Sequence, residues 1–126
     1  MENKIDTYGI KNVNFSLIKE NDPRFEDFKK QRLERGFDSS ELWSLDCTIE
    51  EFIAPRLKAF KEASDGGYPG SYESAKAWQD DLDAMIEGFE IYPNHFNWSP
   101  EEQETNWKKV DKAMSLFHKH FFRLWY

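Results

Sequence analysis

Cysteine occurs once in the chain, at Cys47. That excludes an internal disulfide and a cysteine cage for zinc. A lone thiol reads first as a small buried hydrophobe; as a nucleophile it would need a histidine placed beside it by the fold. Long apolar runs are also missing. Nothing approaches the roughly 18 residues that a membrane-spanning helix needs, and the opening MENKIDTYGI lacks the apolar stretch of a signal peptide. The expected location is the cytoplasm. Net positive charge is missing: 24 Asp and Glu outnumber 17 Lys and Arg, and the net charge of −7 argues against the basic footprint of nucleic-acid binding. Phosphate-cradling loops, a G-x-S-x-G elbow and an HExxH pair are all absent from the sequence.

Aromatic residues are abundant. The chain carries 11 Phe, 5 Trp and 5 Tyr among 126 residues. Large rings each bury roughly 150–250 Å², so few positions are needed to fill a core, and so many rings argue against disorder. The length corresponds to one domain, residues 1–126.

The pattern predicts a mainly α fold, an irregular bundle of about four helices behind an extended N-terminal arm. In residues 1–20, Val13, Phe15 and Leu17 alternate, which suits an arm or a short strand. Asp22 as cap and Pro23 at the first position open a first helix, with Phe25, Phe28 and Leu33 inward and Gly36 closing it. Its charged residues, Arg32 among them, read as a solvated face. Asp38 can cap SSELW. Asp46 or Thr48 can cap a second helix, Thr48 with Glu51 as a capping box. Ile49, Phe52, Ile53, Leu57 and Phe60 then face inward, with a kink or split expected near Ala54 because of Pro55. Trp43 reads as a core residue.

SDGGYPG is a turn, and Ser71 opens a third helix reaching about Tyr92. Trp78, Leu82, Met85, Ile86 and Phe89 form one apolar stripe, with Gly88 a mild weakness in it. Ser99, Pro100 and Glu102 open a last helix, with Val110, Met114, Phe117, Phe121 and Leu124 inward.

Charge is unevenly placed. Between Ala77 and Trp107 there is no lysine or arginine, but Asp80, Asp81, Asp83, Glu87, Glu90, Glu101, Glu102 and Glu104 are present. The acids at the start of the last helix suit its positive N-terminal dipole. Those of the third helix continue to its C-terminal end, where the dipole disfavours them. An acidic docking face for a protein partner is one account of this, with Asp80, Asp83, Glu87 and Glu90 beside the aromatic loop residues Tyr92, His95, Phe96 and Trp98. Alternatively, the loop rings tuck into the end of the bundle.

Metal chemistry has little to build on. His118 and His120 are two apart and point to different sides of a helix. One alternative is a magnesium-dependent, all-α nucleotide pyrophosphatase-like hydrolase, with Glu50 and Glu51 converging on Asp80, Asp83 and Glu87. Ala54 stands where the third acid of an EExxE run belongs. Without magnesium no cofactor is expected. The ring-rich end Phe121–Tyr126 points to self-association, as in a minor virion or assembly component.

Three segments carry a resemblance: GFDSSELWSLDCTIEEFIAPRLKAFKEAS at Gly36–Ser64, GGYPG at Gly66–Gly70 and WQDDLDAMIEGFE at Trp78–Glu90. Trp43-Ser44-Leu45-Asp46, Pro55-Arg56-Leu57-Lys58 and Gly67-Tyr68-Pro69 occur in the same order as in a family of small phage-encoded proteins, which the chain resembles over about half its length. The resemblance implies a phage or prophage protein acting in the cytoplasm of the infected bacterium or packaged in a virion, and assigns no catalytic residue. By analogy with other small acidic phage proteins it implies binding to a host or defence protein.

Overall fold

The computed structural model describes residues 8, 10–64, 66–70 and 72–126. Among these the chain is mainly α, with four α-helices and no strand: α1 (Phe25–Arg35), α2 (Leu45–Ala63), α3 (Ala75–Ile91) and α4 (Pro100–His120). The chain divides into two compact units, Met1–Ile49 and Glu50–Tyr126. The first seven residues of the predicted arm, and Gly9, lie outside the described residues. From Ile10 to Arg24 the chain is turns and irregular backbone, with Ile18 buried but Val13 and Leu17 exposed.

The first unit is organised by a buried ion pair. Arg32 is buried, against the expectation of a solvated position, and its Nη1 donates to Asp38 Oδ2 at 2.6 Å. Asp38 caps the 3₁₀ turn Ser39–Leu42 with a complete capping box: its Oδ1 accepts from the Ser40 N–H at 2.8 Å, and Glu41 Oε2 accepts from the Asp38 N–H at 2.6 Å. The arm is fastened to the same cluster. Phe15 N–H donates to Glu41 Oε1 at 3.1 Å, Leu17 N–H to Ser40 Oγ at 2.9 Å, and Ser16 Oγ–H to Asp38. Burial pushes the Asp38 carboxyl up, but bonds from Ser16, Ser40 and Arg32 outweigh it and hold the group below its ordinary value.

Capping differs from expectation in two places. Arg24 occupies the α1 N-cap, while Asp22 binds the Arg24 N–H and guanidinium just upstream. Gly36 closes α1 as expected, at φ +87° with its N–H on Arg32 O. Helix α2 begins at Leu45, so Asp46 and Thr48 lie within it; Thr48 Oγ1–H donates to Glu41 O at 2.7 Å. Trp43 is 55% exposed, its ring edge-on to Phe28 beneath the Arg24 guanidinium.

The second unit contains the remainder of α2 with α3 and α4. Helix α2 runs through Pro55 without a break. Its inward residues are Ala54 and Leu57, with Ile53 and Phe60 partly buried; Ile49, in the first unit, and Phe52 are exposed, against expectation. Helix α3 starts at Ala75, capped by Ser74, whose Oγ accepts from the Ala77 N–H. The expected start at Ser71 lies outside the described residues. The α3 stripe of Trp78, Leu82, Met85, Ile86 and Phe89 is buried throughout.

Helix α4 is rotated from the expected register. Val110, Ala113 and His120 are buried, Leu116, Phe117 and Leu124 are half-buried, and Met114 and Phe121 are exposed. The cause is Gly88. A Cβ there would lie 2.6 Å from Lys109 O and closer still to the Ala113 Cβ. The two backbones therefore approach through small residues, and α4 turns Ala113 toward α3. Gly88 is a packing requirement, not a weakness.

Candidate interaction surface

The acidic band of α3 is largely neutralised. Lys61 Nζ donates to Asp83 Oδ1 at 2.6 Å, Lys109 Nζ lies 2.7 Å from Glu87 Oε1, and Lys76 Nζ donates to Asp80 Oδ2 at 2.8 Å. The hydrogen bond to Asp80, and then its charge, raise the Lys76 ammonium above its ordinary value. Bases outside the lysine-free stretch thus supply the missing counter-charge across α2, α3 and α4. Glu90 is exposed beyond these pairs. The expectation of an unneutralised docking face at Asp80, Asp83 and Glu87 is corrected accordingly.

The convergence required of a magnesium site is not found. Among the described residues no three His, Cys, Asp or Glu side chains are grouped to hold a metal ion. Glu50 is buried in α2 and Glu51 exposed, while Asp80, Asp83 and Glu87 carry the lysine partners above.

The aromatic loop is ordered as a 3₁₀ helix, Tyr92–Asn97, with Pro93 at its start. His95 Nδ1–H donates to Tyr92 O at 2.8 Å, and Trp98 N–H donates to His95 O at 3.3 Å. The Ser99–Glu102 capping box then fixes the start of α4. Tyr92, His95, Trp98 and Trp107 form a continuous group of rings, with His95–Trp107 at 5.6 Å and Trp98–Trp107 edge-on at 5.1 Å. Phe96 stacks on His95 at 4.0 Å between centroids and remains 80% exposed. The rings tuck in only in part: Tyr92, His95 and Trp98 are half-buried, while Phe96 projects from them.

A second cluster was not anticipated. His120, fully buried, faces Tyr72 and Trp78 edge-on. Its Nε2 lies 3.0 Å from Asp81 Oδ2 and 3.2 Å from the Tyr72 hydroxyl, and its Nδ1 lies 3.1 Å from Arg123 Nη1. A guanidinium only donates, so Nδ1 is the acceptor and Nε2–H donates to the carboxylate. His118 is exposed, away from His120. The available signal was spacing: His120 follows Val110, Ala113 and Phe117 at helical intervals on the buried side of α4.

No family model matches the chain, and neither a curated protein nor a solved structure matches it significantly. No helix among the described residues is long and apolar enough to cross a membrane.

Proposed function

We propose that the chain is a non-enzymatic interaction protein that engages a partner protein through the aromatic tip Tyr92–Trp98, with Glu90 at its rim. The observation carrying this reading is Phe96, a large ring 80% exposed yet held on His95 above a fixed group of rings. Exposed aromatic residues are the residue types that anchor interfaces. An anchor already held in place by a 3₁₀ turn and a capping box loses little freedom on binding. The phage-like segments suggest the partner's source, a host or defence protein in the cytoplasm of an infected bacterium. With Asp80, Asp83 and Glu87 paired to lysines, recognition rests on apolar contact more than on long-range attraction.

The test replaces Phe96 with a photo-crosslinking p-benzoylphenylalanine, and His118 likewise as an exposed control. Irradiation in the infected host should give one discrete protein adduct at position 96 and none at position 118. The same adducts at both positions, or none at position 96, would refute the tip as the contact surface.

A second reading is supported by the Phe121–Tyr126 segment. Phe122, Trp125 and Tyr126 are 85%, 77% and 79% exposed, and ring clusters this open mark association surfaces. Self-association through them, as in an assembly component, predicts a molar mass that rises with concentration in light scattering. A constant monomer mass removes it.

A further inference from the structure

A cleft of about 440 Å³ opens within the second unit, away from the aromatic tip. The rings of Phe60, Tyr68, Trp78, Trp125 and Tyr126 line it, and the turn Gly67–Gly70 forms one wall. Its size falls within the roughly 300–1,000 Å³ of small-molecule sites. Phe60 and Tyr126 pack at 5.9 Å between centroids, and buried Trp78 is braced edge-on by Tyr72 and His120. Trp78 thus gives the cleft a fixed floor, and Trp125 and Tyr126, both exposed, form its outer rim.

Arg123 is the single charged residue lining this cleft. Its Nη1 is tied to His120 Nδ1, and His120 is in turn held by Asp81, so a buried relay sets the position of the guanidinium. Among the described residues Arg123 has no carboxylate partner, in a chain of net charge −7. A guanidinium has donors enough to keep the histidine and still bind a carboxylate or phosphate in bidentate fashion. Charge attraction is stronger against apolar walls than in water.

We infer that this cleft is a binding site for a small planar aromatic anion, with its ring system against the aromatic walls and its acidic group on Arg123. A flat cation would meet the guanidinium unfavourably, and a non-aromatic acid would forgo the ring contacts. The site is independent of the tip proposed above.

The test is calorimetric titration of the whole chain with 2-naphthoate, 2-naphthylmethylammonium and cyclohexanecarboxylate. 2-Naphthoate should bind about tenfold or more tightly than either control, the scale of one lost ion pair or ring contact. Arg123→Gln and Trp125→Ala should each weaken it by a similar factor, and Glu104→Gln, at an exposed position of α4, should leave it unchanged. Arg123→Lys keeps the charge and should retain part of the affinity, so a loss of fold in Arg123→Gln does not obscure the outcome. Equal binding of the three compounds, or full affinity in Trp125→Ala together with either Arg123 variant, would overturn the site.

Discussion

Gly88 of α3 and Ala113 of α4 meet where the two helices approach, with Lys109 O only 2.6 Å from where a Gly88 side chain would begin. Two effects compete in Gly88→Ala. Helix propensity favours alanine by about 1 kcal/mol. Overpacking costs roughly 1–3 kcal/mol, here toward the upper end because a backbone carbonyl cannot swing aside. The variant should therefore be less stable than the parent by about 1–2 kcal/mol in urea unfolding. A gain in stability would show that the helices separate freely.

Asp38 and Arg32 predict an acid-sensitive first unit. The folded-state Asp38 carboxyl lies below its ordinary 3.8. Its contribution to stability is therefore fully present above 3.8 and is lost as the pH falls through that value toward the depressed one. Hydrogen-exchange protection of α1 amides should fall in that window. Asp38→Asn removes the carboxylate that Arg32 Nη1 meets at 2.6 Å, and taking one partner from a buried pair costs up to about 3–5 kcal/mol. It should weaken α1 protection at neutral pH and flatten the acid dependence. Unaltered α1 protection in the variant would remove the pair's assigned role.

The sequence made the helices legible where local signals agreed. The α3 stripe from Trp78 to Phe89, the Ser99–Glu102 box and the Gly36 stop each follow from spacing or backbone chemistry within a few residues. What was not legible depends on partners distant in the chain. Arg32 reads as a surface residue until Asp38 folds back onto it. Ala113 is too small to register in a hydrophobic pattern, yet its contact with Gly88 sets the face α4 buries and leaves Met114 outside. The band of acids was visible, but Lys61 and Lys109 come from other helices. The aromatic tip was visible as composition. Its division into half-buried rings and a projecting Phe96 required the 3₁₀ backbone.

His120 and Asp81 make a prediction about a proton's position. With Arg123 donating to Nδ1 and Asp81 accepting from Nε2, the imidazole should show Nε2–H as the dominant tautomer in its ¹⁵N spectrum. Asp81→Asn can still accept through its amide oxygen and should be mild. Asp81→Leu removes that acceptor. The Tyr72 oxygen, 3.2 Å from Nε2, is the remaining acceptor, so the loss should sit near the lower end of the roughly 1–3 kcal/mol for a buried group left unsatisfied. An Nδ1–H tautomer would contradict the Arg123 contact.

The lysine-paired acids of α3 allow the surface to be tested apart from the fold. Asp83 and Glu87 are both more than half exposed and meet Lys61 and Lys109 at 2.6 and 2.7 Å. Exposed pairs are generally worth about 0.2–1 kcal/mol each, because water already solvates both partners. Reversing Asp80, Asp83 and Glu87 to lysine together replaces three attractions by repulsions. Each reversal loses an attraction and adds a repulsion of similar size, so the loss of stability should be no more than about 6 kcal/mol in urea unfolding, shrinking as salt screens the exposed charges. Crosslinking from position 96 should persist in this triple variant, since the tip is held by its own turn and capping box. If the adduct disappeared while the fold survived, the acids would be part of the contact surface despite their lysines, and recognition would be electrostatic as well as aromatic.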